Sequence, residues 1–180
     1  SHAHVPEFRT LTYSRLNDKQ SVTQVKRILN FFISYDHRES VLDDLMGKFL
    51  PHSRHDIASY YMTPDEIHAA QVSGMVIGSH SVTHPVFSKI SPDAQKRELE
   101  QSFAFLDDVT GGLEIRTFAY PYGGFHSFSA ATEQILDDLG CKFSFNVEGR
   151  DILQSDILTR PQALPRFDCN QFAFGGVTIG

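Results

Sequence analysis

Hydrophobic and polar positions along this chain change period several times, and each change marks an element. Over residues 20–34, Val22, Val25, Ile28, Leu29 and Phe32 recur at helical spacing, so a helix is predicted there. A second helix is predicted from Glu39 to Phe49, with Val41, Leu42, Leu45 and Met46 on one face and Pro51 ending it. Residues 1–19 show no such period, and Tyr13 and Leu16 are their candidate anchors. Thr63-Pro64-Asp65-Glu66 carries the signals of a helix start: a capping hydroxyl, a proline for the first turn and an acid placed to reach back. That helix runs to Val72 and stops at Gly74. The apolar run Met75-Val76-Ile77 comes after it and reads as a buried strand ending near Ser79.

Ser91-Pro92-Asp93 is another capped start, for a helix to about Val109 with Leu99, Phe103 and Leu106 inward and Gly111-Gly112 closing it. A strand from Ile115 to Tyr120, a helix from Ala130 to Leu139 capped by Gly140, and an alternating strand from Cys141 to Val147 come next. Residues 148–162 have no clear period and lead to the apolar stretch Ala163–Asp168. From residue 63 the order is therefore helix, strand, helix, strand, helix, strand. Such alternation predicts an α/β fold of parallel βα units with right-handed crossovers.

In βα barrels the chemistry sits where strands end. Three polar clusters fall there: His80 and His84, Tyr122, and Arg166 with Asp168. Gly78 lets the chain turn sharply out of its strand, and two histidines four apart beyond it can aim at one point. Neutral imidazole is a common ligand for zinc, cobalt or iron. The alternative reading is a pair of surface histidines in a Ser/Thr-rich turn. His52 and His55 lie beside no strand and read as surface residues, as do Arg38, Arg54 and their neighbouring acids.

Composition narrows the class. Length suits one domain or part of a larger one: 180 residues, 41% hydrophobic and 21% charged, with no tryptophan. A net charge of −6 argues against nucleic acid or an anionic membrane as partner. No run approaches membrane-spanning length. Two cysteines, Cys141 and Cys169, are too few for a disulfide framework and read as free thiols. No export signal is recognisable, and the compartment, bacterial cytoplasm or cell envelope, is left undetermined.

The motifs His80-Ser81-Val82-Thr83-His84-Pro85, Phe118-Ala119-Tyr120-Pro121-Tyr122-Gly123 and Leu164-Pro165-Arg166-Phe167-Asp168 resemble, in order and spacing, those of the polysaccharide deacetylases, the NodB-homology enzymes of carbohydrate esterase family 4. Gly74-Met75-Val76-Ile77-Gly78 precedes the histidines as it does in that family. The resemblance implies a distorted (β/α)7 barrel, with residues 61–180 as the C-terminal portion of the domain and residues 1–60 as a helical insertion or N-terminal segment. It also implies a metal-dependent hydrolase that removes acetyl groups from N-acetylated sugars or glycans. His80 and His84 would hold a divalent metal, zinc first among the candidates. The Tyr122 backbone N–H would help bind an oxyanion. Arg166 and Asp168 would orient catalytic side chains. Tyr120, Pro121 and Phe125 are candidate sugar contacts, with core aromatics as the equal alternative.

The chain also departs from the family. The first motif, Thr-Phe-Asp-Asp, which supplies the base and a third metal ligand, is not found. Asp43-Asp44, Asp107-Asp108 and Asp137-Asp138 all fall within predicted helices, and Ile33-Ser34-Tyr35-Asp36-His37 lacks the second acid. The third motif has Ala119 in place of the usual arginine, and no histidine follows Gln171 for the fifth. The favoured explanation is a chain that begins after the aspartates. The others are a relative that kept the fold and lost activity, or a substitute ligand from His126 or Asp168. On the first, the chain alone is expected to be inactive or weak. Its open sheet edge would invite a partner chain or homo-oligomer, which a solution mass compared with 20.3 kDa would reveal.

Overall fold

The computed structural model describes residues 20–49, 60–168 and 171–172. Tyr13, Leu16, Pro51, His52, Arg54, His55 and Cys169 lie outside the described residues. The chain divides into two compact units, Ser1–Thr63 and Pro64–Gly180.

In the first unit, α1 (Gln20–Arg27) runs into a π-helical turn, Ile28–Phe32. There Ile33 N–H donates to the Ile28 carbonyl at 2.9 Å, five residues back. The wider turn rotates the residues beyond it about the helix axis. Phe31 is buried, while Val22, Val25, Ile28 and Phe32, four of the residues at helical spacing, are exposed. Helix α2 spans Tyr35–Phe49 and starts four residues before Glu39. Its missed signal is Ser34, whose Oγ accepts from the Asp36 N–H at 3.4 Å, a weak version of a serine cap. Arg38 is not simply solvated: it is half-buried and donates to Asn30 Oδ1 at 3.0 Å.

The second unit keeps the expected alternation in part, with a single bridge at Ser79 in place of the first strand. Helix α3 spans Pro64–Val72, and Gly74, at φ +88°, turns the chain after it. Helix α4 spans Pro92–Thr110. Ser91 Oγ accepts from the Ala94 N–H at 3.3 Å and so satisfies one of the unpaired donors of its first turn. Gly111, left-handed at φ +74°, closes the helix, a conformation that any side chain would penalise. Between these ends Leu99, Phe103 and Leu106 are buried at helical spacing. Helix α5 spans Ala130–Asp138 and buries Leu136.

Strands β1 (Thr117–Ala119) and β2 (Phe143–Phe145) pair in parallel, with Phe118 opposite Ser144. Single parallel bridges extend the sheet on each side, Ser79 to Phe118 and Phe145 to Leu164. The line 79, 118, 144–145, 164 keeps sequence order, as successive βα units laid side by side do. Both strands are shorter than the predicted 115–120 and 141–147. The reading of Met75-Val76-Ile77 as a buried strand is corrected: Met75 is 63% and Val76 68% exposed, because no strand among the described residues covers their outer side. Residues 148–162, read as irregular, contain helix α6 (Gln154–Thr159). Its start is fixed by Asp156, which accepts from the Leu153 N–H at 2.8 Å and takes a bidentate pair from Arg150.

The core joins α4, β1, α5 and the loop after β1 through Phe87, Leu99, Phe103, Phe118, Tyr120, Phe128 and Leu136. Burying side chains of this size stabilises by about 1.5–3 kcal/mol each. Cys141 is buried beside Ser144, and burial pushes its thiol pKa up, so it is inert there.

At the end of α4, Asp107 ties the helix to β1. It accepts from the Leu113 N–H at 3.0 Å and from Arg116 at 2.7 Å. These bonds, the backbone one first, hold its carboxyl below the usual carboxylate range. A depressed folded-state pKa adds stability above the unfolded value of about 3.9 and loses it as pH falls through the folded one. Asp107→Asn is therefore expected to flatten stability against pH below about pH 4. The loss near neutrality should be no more than about 1 kcal/mol for so exposed a pair. Urea midpoints of both proteins across pH 2–6 check this.

Candidate active site

Two loops meet at the C-terminal end of the sheet. The first leaves the Ser79 bridge and carries His80 and His84; the second leaves β1 and carries Tyr122. The His80 and His84 ring centroids are 4.9 Å apart, at 73°. The His84 ring meets the Tyr122 ring edge-on at 4.8 Å. Elements separated by nearly forty residues thus bring three rings together.

The backbone is strained in the same place. Among the described residues, the non-glycine positions with positive φ are Ser81 (69°), His84 (54°) and Tyr122 (64°). Such conformations cost of order 1–3 kcal/mol each and persist only where the surroundings over-determine them. Gly123, at φ +65°, succeeds Tyr122 with its α-carbon so close to Val147 that a Cβ would overlap that side chain. Gly123 O also accepts from the Val147 N–H at 3.1 Å, fixing the turn to the end of β2.

His80 Nδ1 lies 2.6 Å from the Ala119 carbonyl. A carbonyl can only accept, so Nδ1 carries the proton and Nε2 keeps its lone pair. His80 presents surface to solvent, yet enough protein surrounds it that desolvation lowers its pKa. The Ala119 bond opposes this and the Arg166 charge adds to it. A neutral ring with a fixed tautomer is the form that binds a metal ion. Two imidazoles side by side fit a zinc-like ion as part of a ligand set. No group of three or more His, Cys, Asp or Glu side chains that could hold an ion occurs among the described residues. His126 and Asp168, the candidate substitute ligands, therefore complete no set with the pair.

The histidine loop is tied to α4. Glu98 Oε2 accepts from the Val82 and Thr83 N–H groups, both at 2.9 Å, and Oε1 accepts from the Thr83 hydroxyl at 2.7 Å. One turn on, Ser102 Oγ lies 2.6 Å from Ser79 Oγ. Ser81 Oγ accepts from the His84 N–H at 3.1 Å. A cavity of 440 Å³ opens between loop and helix, with His80, Val82, Gln101 and Phe105 among its lining residues. Nothing in the local sequence singles out Glu98; only its place on the α4 face beside the loop does.

The remaining candidates separate. Arg166 is half-buried, with its charge felt at His80. Asp168 is exposed, and its N–H donates to Gln171 Oε1 at 2.9 Å. Tyr120 is not a sugar contact but a core residue: it is 0% exposed, stacks on Phe128 at 3.8 Å and donates its hydroxyl to the Gln162 carbonyl at 2.7 Å. Pro121 is buried with it. Strand alternation explains this, since the residue after β1 turns inward. Phe125 is 51% exposed, with the Arg160 guanidinium 5.2 Å from its ring centre and Glu133 holding that guanidinium by two bonds.

Among solved structures, the chain is similar to the Streptococcus pyogenes deacetylase PplD in complex with acetate. Identity is 25% and TM-score 0.52, over 59% of this chain and 44% of that one. It also matches BA3943, a CE4 family pseudoenzyme from Bacillus anthracis, at 23% identity and TM-score 0.41, over 45% of this chain and 27% of that one. The chain thus spans less than half the length of either protein. No curated protein sequence matches it. No described helix is long and apolar enough to cross a membrane. The polysaccharide deacetylase family model matches residues 12–144, most of the chain and both ring-bearing loops, so the chain belongs to the polysaccharide deacetylase family.

Proposed function

We propose that the chain acts as a metal-dependent hydrolase that removes acetyl groups from N-acetylated sugars. The observation that supports this reading best is the meeting of His80, His84 and Tyr122 on strained loops at one end of a parallel sheet. Four parallel lines in sequence order are consistent with an arc of a distorted (β/α)7 barrel, in which residues 61–180 would be the C-terminal portion and residues 1–60 a helical insertion or N-terminal segment.

His80 and His84 would hold the ion, zinc being the choice that suits two neutral imidazoles best. When bound, such an ion polarises an acyl carbonyl and lowers the pKa of water. The chain's own residues contribute further parts of the site, though the base and third ligand of the Thr-Phe-Asp-Asp motif are not among them. Ala119 fixes the His80 tautomer. The Tyr122 N–H, in a turn held by Gly123 and Val147, is offered to the developing oxyanion. Burial first, and the Arg166 charge after it, favour the neutral form of His80; Arg166 and Asp168 would orient the reacting groups. Phe125, exposed with the Arg160 guanidinium over its ring, would offer its remaining surface to a sugar as an apolar contact.

A second reading, a non-catalytic carbohydrate-binding or scaffold module, is favoured by one sequence observation. The family match opens at residue 12, on Thr12-Tyr13-Ser14-Arg15. That stretch begins like Thr-Phe-Asp-Asp and carries hydroxyl and guanidinium groups in place of the two acids.

Acetate release from chitooligosaccharides separates the two. The hydrolase reading expects release that a chelator abolishes and added zinc restores. For the complete protein, oligosaccharide binding with no acetate released, with or without zinc, would support the module and overturn the hydrolase.

A further inference from the structure

We infer that Glu98 is the positioning residue of the imidazole pair, a carboxylate on α4 that holds the histidine loop in its strained conformation. The inference rests on the metal-site reading for its purpose and on hydrogen bonding alone for its geometry. The loop must hold positive φ at Ser81 and again at His84. Between those two positions lie Val82 and Thr83, whose N–H groups point the same way. Two successive N–H groups so arranged form a concavity that binds an anion. Here the anion is internal. Glu98 Oε2 takes both N–H groups at 2.9 Å, and Oε1 takes the Thr83 hydroxyl at 2.7 Å.

Three charge-assisted bonds to one carboxylate are stronger than neutral ones, and they act at the middle of the turn that sets the His80–His84 spacing. Ser81 Oγ reinforces it from within by accepting from the His84 N–H at 3.1 Å. Ser102, one turn along α4 from Glu98, fixes the loop's beginning through Ser79 at 2.6 Å. Helix α4 is itself anchored by buried Leu99, Phe103 and Leu106, so the carboxylate is presented from a rigid element. The three bonds that Glu98 accepts come from Val82 and Thr83, so it acts through the backbone between the imidazoles.

The test uses the whole chain, with Co²⁺ alone as the metal probe. Glu98→Leu removes every acceptor. Glu98→Gln keeps an oxygen for the two N–H groups and lets the Thr83 hydroxyl reverse its bond. Glu98→Leu is expected to weaken Co²⁺ binding about 10–100-fold, the usual cost of losing an outer partner of a metal site, while Glu98→Gln stays within about threefold of the unaltered chain. In Glu98→Leu the nuclear Overhauser contact between the His84 and Tyr122 rings should vanish and the Val82 and Thr83 amides should exchange faster. The Phe87–Phe118 contact, deep in the core, should persist. If the ring contact and both amides are unchanged in Glu98→Leu, the inference is overturned. If the unaltered chain takes up no Co²⁺ yet those signals change as expected, Glu98 still positions the loop and the metal reading alone fails.

Discussion

His80→Ala is expected to lower zinc affinity by more than the roughly 10–100-fold that outer partners of a metal site carry. The substitution removes one of the two nitrogen donors that the structure brings together, 4.9 Å from the other. It also leaves the Ala119 carbonyl without its 2.6 Å partner. Folding should change little, because the ring presents surface to solvent and lies outside the core cluster. Competition against a chromophoric chelator measures the affinity, and a urea titration measures the fold. His126→Ala is the matched control: that ring is not one of the two proposed donors, so zinc affinity should be unaltered. Equal losses in both variants would mean that zinc binds histidines indiscriminately.

Phe118→Ala should cost the fold about 3–5 kcal/mol, the range for deleting a buried aromatic ring. Phe118 is 1% exposed at the centre of β1. Its ring meets Phe87 at 5.6 Å and Tyr120 at 5.2 Å, both edge-on. The backbone on either side is paired, to Ser79 before it and to β2 beyond, so the chain cannot close over the space left behind. For a domain stabilised by about 5–15 kcal/mol this is a large fraction. Because both site loops spring from this sheet, the His84–Tyr122 contact should loosen as well. Leu158→Ala, at a side chain 75% exposed, should stay within about 0.5 kcal/mol. Similar urea midpoints for the two variants would show that the core is placed elsewhere.

Much of this was legible in the residues. Ser91, Pro92 and Gly111 bound α4 closely, because caps and left-handed closures are local chemistry. The order of βα units placed His80, His84 and Tyr122 at one end of the sheet, because parallel connections allow few topologies. Other features depend on tertiary contacts that no period encodes. Phe32 keeps the helical spacing, yet in a single π-helical turn Phe31 is the buried ring. Met75 and Val76 carry the composition of a buried strand, yet burial needs a neighbour that composition does not supply. Tyr120 and Phe125 look alike as aromatic residues beside Tyr122, and only the turn's geometry puts one in the core and the other at the surface. Glu98 was invisible for the same reason: its three bonds reach fifteen or sixteen positions back along the chain.

The most direct test of the proposed metal site is a zinc titration of the whole chain, monitored at the ring nitrogens of its histidines in long-range ¹H–¹⁵N spectra. The expected result is that Nε2 of His80 and Nε2 of His84 shift together and saturate at one ion per chain. His80 Nδ1 should stay protonated on the Ala119 carbonyl throughout, and the rings of His68 and His126 should not move. Zinc signals appearing elsewhere, or His80 and His84 unmoved at saturating zinc, would contradict the assignment.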